Sequence, residues 1–373
     1  MEDRRKLLGS RIRDARIRLS YTQEALAREA GLSSAQIISQ IEKGEREVKA
    51  WELFSLAKAL FLDISQLAMM EESDLAIPVL WREAPSVDKE VIEAEFLRRC
   101  RQYALVERLC ACMVEKSLPT KKPNLKTMKF SEANKLGEQI WEELKLGSRP
   151  ACALKSLLED DYGVKIWYKN LGEYGSAAST RGPFGAAMLI NSQEAPWRRN
   201  FSIGHELFHL ITWEDTAEGG ISEERIEKLA NAFASVLLLP QIPLREAFEP
   251  RIKEGKVENI DLIEVARQFD VSTRALGYRL INLGYTDQKE MEALLEEPAF
   301  KSLDRTSRMG TWLQPPAIPE RFVRLAFLAY QRGNLSRPRL AEYLNVSIIE
   351  LGDTLQEYGL NEELDYQAEV RAS

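Results

Sequence analysis

Histidine is almost absent from this sequence. Only two of the 373 residues are histidine, and both lie in one short stretch, as His205 and His209. No run of 18 or more apolar residues occurs, so the sequence predicts no transmembrane helix and no membrane partner. The first 19 residues are charged throughout and lack the apolar core of a secretion signal. We therefore expect a cytoplasmic protein.

Cysteine is also scarce, and no two cysteines have the CxxC spacing that is typical of zinc or redox sites. In a reducing compartment we expect buried free thiols, and a cysteine-rich zinc site is the alternative. The four residues are Cys100, Cys110, Cys112 and Cys152.

Positive charge is in the minority, but its distribution is uneven. The chain has 51 Lys and Arg against 58 Asp and Glu, a net charge of −7. Its first 60 residues hold 12 basic and 9 acidic side chains, a local charge of +3. If any part of the chain meets nucleic acid, this end is the one we expect to do so.

The length predicts two or three domains, and the patterning predicts a mainly α protein with a small α/β domain. Residues 1–70 have the spacing of several short helices, and residues 71–128 are typical of a helical connector. In residues 129–292 we predict strands at "VKIWYKNL" and "AAMLIN", with "YGSAASTRGPFG" between them as loop or turn. Residues 293–373 again have a helical pattern, which resembles a helix-turn-helix. We expect this region to serve in packing or dimerisation, and a second DNA-binding motif is the alternative.

The stretch "NFSIGHELFHLITW" contains both histidines in an HExxH arrangement. Residues four apart project from one face of a helix, so His205 and His209 can bind one tetrahedral zinc ion. Glu206 is placed to act as a general base on a water molecule without binding the metal. Chance matches to so short a pattern are common, but both histidines of the chain lie in this one, and apolar residues surround them.

A third ligand is expected from a second helix, "RIEKLANAF". Glu227 lies 18 residues after His209, and Asn231 follows one turn later, where it can hold the second nitrogen of a histidine. Glu223 and Glu224 are competing candidates, although charges at a helix start are more often solvated.

These two segments, "NFSIGHELFHL" and "EKLANAFASVLLLP", resemble the ImmA/IrrE family of zinc metallopeptidases. The resemblance covers roughly residues 129–285, and Phe208 stands where many members have glycine. It implies a zincin-like α/β fold, Zn²⁺ as cofactor, and proteolysis of a protein substrate that is often a repressor. For the group that would stabilise the oxyanion we have only two candidates, Tyr278 and Arg279.

The segment "TQEALAREAGLSSAQIISQIEKGER" has the anatomy of a helix-turn-helix. We predict helices over about 23–29 and 34–42, with the turn at Gly31 and with Ile37 and Ile41 in the core. The segment resembles the Xre, or phage-repressor-like, DNA-binding family over residues 8–67, which implies a duplex DNA operator and a possible homodimer. A one-residue difference in spacing leaves the register of the base-reading face open, and a helical bundle that binds protein is the alternative. The predicted DNA-contact residues are Gln23, for phosphate, and Ser33, Ser34, Ala35, Gln36, Ser39 and Gln40.

Two functional hypotheses follow. The first is a DNA-binding transcriptional regulator with a zinc endopeptidase domain that cleaves a repressor-like protein. The second is a transcription factor without enzymatic activity, in which the zincin-like domain serves as a sensor or dimerisation module.

Overall fold

The computed structural model describes residues 2–69, 77–214, 222–307 and 313–362. For the acidic segment "EDTAEGGISEE" after the histidine helix the sequence predicts a loop, and most of it, residues 215–221, lies outside these ranges. The architecture is mainly helical with one small mixed sheet, which confirms the predicted fold class. No helix within the described ranges is long and apolar enough to cross a membrane.

Five helices form the N-terminal unit around its own core of buried aliphatic side chains. Ile38 and Ile41 are buried in this core, whereas Ile37 packs at its edge, and this fixes the register that the sequence left open. The predicted helices over 23–29 and 34–42 are confirmed, the second beginning at Ala35. The five helices are α1 (Glu2–Arg18), α2 (Gln23–Glu29), α3 (Ala35–Glu42), α4 (Ala50–Ala59) and α5 (Ile64–Met69).

The sheet has four strands in the order β1-β3-β4-β2: β1 (Val79–Trp81), β2 (Lys165–Lys169), β3 (Ala177–Gly182) and β4 (Gly185–Asn191). Strands β2 and β4 are parallel, and the other neighbours are antiparallel. The prediction of β2 and β4 is confirmed, but the prediction of loop or turn for "YGSAASTRGPFG" is wrong over Ala177–Gly182 and correct at residues 174–176 and 183–184, on either side of that strand. Its small residues form β3 because the backbone pairs with strands on both sides, which outweighs poor strand propensity. The sequence analysis did not place β1.

The two faces of the sheet belong to two different cores. Along β2 and β4, Ile166 and Met188 face the core that contains the histidine helix. Their neighbours Trp167 and Leu189 face the opposite core, as the period of two in a strand requires. That second core is filled by the helix over Lys89–Leu109 and by the C-terminal helices.

The remaining helices cover these two faces. A helix in the segment that we described as a connector, α6 (Lys89–Leu109), packs against the C-terminal helices in the second core. The others are α7 (Phe130–Glu143), α8 (Pro150–Asp160), α9 (Pro196–Ile211), α10 (Glu223–Leu238), α11 (Gln241–Phe248), α12 (Asn259–Gln268), α13 (Thr273–Asn282), α14 (Gln288–Glu296), α15 (Pro298–Ser307), α16 (Glu320–Gln331), α17 (Arg337–Tyr343) and α18 (Leu351–Glu357), with a 3₁₀ turn at Glu249–Arg251.

Helix α10 lies between α9 and α7, and its position depends on a close approach. At Gly137 of α7, an added Cβ would lie only 2.8 Å from the Phe233 carbonyl oxygen of α10. A glycine is therefore needed for α7 to seat α10 against the histidine helix.

Candidate functional site

The two histidines lie on helix α9, which is buried along most of its length against the sheet and α10. Pro196 occupies the first turn of α9, where the lack of a backbone N–H is tolerated. His205 and His209, one turn apart, bring their Nε2 atoms within 3.2 Å of each other. The helical repeat alone therefore places two imidazole nitrogens at one point.

Glu227 of α10 completes a cluster of three potential ligands. One carboxylate oxygen lies 2.9 Å from His205 Nε2, and the other lies 3.3 Å from His209 Nε2. The competing candidate Glu224 is instead paired with Lys228, at 2.6 Å, on the solvent side of α10. Among the described residues, the grouping that could hold a metal is therefore the predicted one.

The spacing of these atoms fits a zinc ion. Zinc binds nitrogen and carboxylate oxygen at about 2.0–2.1 Å in tetrahedral geometry, which separates neighbouring ligand atoms by about 3.3 Å. The three distances in the cluster, 2.9, 3.2 and 3.3 Å, are close to that value. Two imidazoles with one carboxylate also leave a fourth tetrahedral position open, as catalytic zinc sites do.

Asn231, one turn after Glu227, orients the first histidine. Its side-chain oxygen lies 3.0 Å from His205 Nδ1. Because an amide oxygen can only accept a hydrogen bond, Nδ1 carries the proton and the Nε2 lone pair faces the cluster. The structure thus places Asn231 where the sequence analysis expected it.

Glu206 is completely buried beside the cluster but does not belong to it. Neither carboxylate oxygen has a hydrogen-bond partner among the described residues. Burial raises the pKa of Glu206 to about 7, although the nearby His209 and the Ser179 hydroxyl of β3 pull it the other way. A carboxyl group with such a pKa can both accept and return a proton near neutral pH.

Among the three potential ligands, the pKa values of His205 and Glu227 are lowered and the pKa of His209 is raised. Burial lowers the pKa of His205 to about 4, so this ring is neutral at pH 7. Burial also acts against charge on Glu227, but its contacts with the His205 and His209 rings outweigh this effect and lower its pKa to about 2. For His209, burial lowers the pKa, and the carboxylates of Glu227 and Glu206 more than reverse this, so that it is raised overall.

A groove of about 750 Å³ opens beside the cluster, between α9, α10 and helices α13–α15. Asn231 lines it, and so does Arg82, which follows strand β1 and which the sequence analysis missed. Tyr278 also lines the groove. Arg279 does not, because it is buried and bound to Glu138 and to the Leu239 carbonyl oxygen, both at 2.9 Å.

Phe208, the departure from the usual glycine, does not obstruct the cluster. Its ring is buried in the core and packs against Phe233, with 5.5 Å between ring centroids. The bulk of this side chain is therefore directed into the packing between α9 and α10.

The predicted DNA-reading residues lie on and just before α3. Ser33, Ser34 and Gln36 are exposed, and Ala35, Ser39 and Gln40 are half-buried. Gln23 is also half-buried, and its side-chain amide donates a hydrogen bond of 2.9 Å to Glu42. Ser34 has the extended backbone of an N-terminal cap.

Comparisons with known proteins match two separate segments of the chain. Residues 159–281 match the family described as the IrrE N-terminal-like domain, and residues 12–67 match a helix-turn-helix family. The chain is 30% identical over 140 residues to the radiation response metalloprotease IrrE of Deinococcus deserti, and 29% identical over 140 residues to that of Deinococcus radiodurans. Each alignment covers 35% of this chain, and they cover 47% and 40% of the two relatives. The chain therefore spans less than half the length of either one.

A third relative aligns over more of the chain. It is the propionyl-CoA carboxylase regulator of Cereibacter sphaeroides, which is 24% identical over 310 residues, covering 74% of this chain and 64% of that protein. The two resemblances seen in the sequence are thus confirmed by the comparisons, over residues 159–281 and over residues 12–67. Residues 12–67 therefore match a helix-turn-helix domain, and residues 159–281 are similar to the IrrE-like metallopeptidases.

Proposed function

We propose that this protein is a DNA-binding regulator whose zinc-dependent endopeptidase domain cleaves one peptide bond in a repressor-like protein. The observation that carries the proposal is the convergence of His205, His209 and Glu227 beside the buried, unpartnered carboxylate of Glu206. The metalloproteases named above, similar over the matching segment, support a proteolytic role.

In this proposal His205, His209 and Glu227 hold the metal, and Asn231 fixes the first imidazole. A bound zinc ion would supply Lewis-acid activation of water and of the peptide carbonyl. Glu206 accepts a proton from the attacking water on one carboxylate oxygen and later delivers it to the leaving amine nitrogen. Burial of Glu206 and the surrounding apolar side chains keep competing water away from that carboxylate.

The N-terminal domain would bring the peptidase to duplex DNA. Its exposed residues on and just before α3, Ser33, Ser34 and Gln36, are polar, which suits contact with base edges in the major groove, and Gln36 is suited to an adenine edge. We propose a two-fold operator read by a homodimer, the common arrangement of such domains.

The test compares wild type with Glu206→Gln on repressor proteins encoded near the gene, with zinc content measured for both. Glu206→Gln should retain zinc and fold while its cleavage rate falls by about 10²–10⁴. His209→Ala should lose both zinc and cleavage. Glu223→Gln, on the same helix as Glu227 but outside the cluster, serves as the matched control and should behave like wild type. Equal cleavage by wild type and Glu206→Gln would remove Glu206 from the mechanism.

A second candidate function is regulation without catalysis. It is favoured by the relative that aligns over 74% of this chain, whose name describes a regulator and no protease. In that case wild type cleaves no candidate protein, and removing zinc or filling the groove beside Asn231 changes DNA affinity. If the domain is a peptidase, Glu206→Gln should instead leave DNA affinity unchanged, since Glu206 does not contact the N-terminal domain.

A further inference from the structure

We propose that Arg82 determines substrate specificity by binding a carboxylate of the substrate peptide, one or two residues from the scissile bond. This inference builds on the proposed peptidase function, and it assigns a role to a side chain that lies outside the metal cluster. The chemical class of the preferred substrate is an acidic peptide segment.

Arg82 is held in place from three directions. Its backbone N–H donates a hydrogen bond of 3.0 Å to the Ala177 carbonyl oxygen at the edge of the sheet. Its guanidinium donates to the Ser202 hydroxyl at 3.2 Å and lies over the Phe201 ring, 5.4 Å from the centroid. A cation fixed in this way loses little entropy when it binds a ligand.

The charge of Arg82 is less compensated than that of the other cations in the groove. Arg274 and Lys301 both pair with Glu296, and Arg198 pairs with Glu194 at 3.6 Å. Within the described residues, no carboxylate lies within ion-pair distance of the Arg82 guanidinium, although it is half-buried. Removing such a charge from bulk water is unfavourable unless an anion approaches, and the open groove is where an anion can arrive.

The groove begins one helical turn away from the metal cluster on both helices. On α9, Phe201 precedes His205 by one turn, and on α10, Asn231 follows Glu227 by one turn. Both residues line the groove. One helical turn spans about 5.4 Å, and an extended peptide spans about 3.3 Å per residue. A peptide bond at the cluster therefore places a side chain one or two residues away near the Arg82 guanidinium.

A carboxylate suits this position better than other anions of a peptide. The planar guanidinium matches the two oxygens of a carboxylate, and such charge-assisted hydrogen bonds are among the strongest in proteins. Two sources share this chemistry: an Asp or Glu side chain within the substrate, and the free carboxylate at a peptide terminus.

The experiment measures binding separately from cleavage. Zinc-loaded Glu206→Gln protein is titrated into fluorescein-labelled decapeptides that differ at one position, which carries Glu or Gln, and that end in either an amide or a free carboxylate. Among peptides with an amidated end, we expect the Glu peptide to bind about tenfold more tightly than the matching Gln peptide. This difference should appear when the varied residue is at one or two adjacent positions of the peptide. A preference that follows the free terminus instead would assign the carboxylate to the peptide end.

Adding Arg82→Gln should abolish the difference between Glu and Gln peptides, and Arg82→Lys should retain part of it. Ser202→Ala is a milder change that frees the guanidinium, and it should reduce the difference even if Arg82→Gln folds poorly. Arg324→Gln, an exposed arginine on α16, is the matched control. No preference for any carboxylate, or a preference that survives Arg82→Gln in folded protein, overturns the inference.

The outcomes also separate this inference from the proposed function. Wild-type cleavage that ignores the Glu-to-Gln change refutes the role of Arg82 and leaves the peptidase intact. Binding that depends on Arg82, without cleavage of any peptide or protein by wild type, supports the carboxylate site and refutes the peptidase.

Discussion

The hydrogen bond between Asn231 and His205 makes a prediction about zinc affinity. In Asn231→Leu, the acceptor 3.0 Å from His205 Nδ1 is lost while the three ligands remain. Loss of such a partner typically weakens metal affinity by about 10- to 100-fold, which is about 1.4–2.8 kcal/mol. Asn231→Asp keeps an oxygen acceptor and should bind zinc at least as tightly as wild type. Ser235→Ala, one turn further along the same face of α10, is the control.

Affinity is measured by competition with a chromogenic chelator at pH 7.5. Stability is measured by chemical unfolding with and without saturating zinc. The zinc-dependent part of the unfolding free energy should fall in Asn231→Leu by the same amount as the binding free energy. Comparing each variant with its own zinc-free form removes the separate penalty for leaving His205 Nδ1 without a partner. Because the chain has two histidines, selective nitrogen labelling gives only four ring signals. They report directly whether Nδ1 of His205 carries the proton.

The result that would refute this reasoning is a folded Asn231→Leu protein with wild-type zinc affinity. A wild-type spectrum in which His205 carries its proton on Nε2 would contradict it independently. Either outcome would mean that Asn231 does not orient the ligand.

Three further predictions concern the pH response, the packing and the DNA contact. Zinc affinity should fall by about tenfold per pH unit once the pH drops below the raised pKa of His209, because the metal competes with the proton on that ring. This loss of affinity should begin above the ordinary histidine pKa of 6.5. A zinc affinity that is constant from pH 8 to 5 would contradict the prediction. Gly137→Ala should lower the free energy of unfolding by about 1–3 kcal/mol, as measured by chemical unfolding. Gly204→Ala should leave it unchanged or raise it slightly, because the new Cβ would make only a 3.6 Å contact. Gln36→Ala should weaken operator binding by about 1–3 kcal/mol and should have little effect on the affinity for random DNA. Both affinities are measured by fluorescence anisotropy at fixed salt. An equal loss of affinity for both DNAs would exclude base reading by Gln36.

The helix that carries His205 and His209 could be predicted from the sequence because its geometry is local. Four residues make about one helical turn, so the spacing of His205 and His209 alone brings their rings together. The same holds for the two N-terminal helices, whose limits follow from a cap, a glycine turn and an apolar pattern. For Glu227 the sequence supplied a candidate, but only the packing of α10 between α7 and α9 brings its carboxylate within 3.3 Å of both rings.

Other parts of the site depend on tertiary structure alone. Strand β3 is composed of small residues that favour a loop, and it is a strand because β1 and β4 pair with it on both sides. Strand β1 has three residues, too few to give an alternating pattern, and its position at the sheet edge is what delivers Arg82 to the groove. Local sequence thus determined which residues could bind a metal, because that choice depends on neighbours along one helix. The surroundings of those residues were decided by contacts between separate segments of the chain, such as β1 with β3 and α7 with α10, which no local pattern encodes.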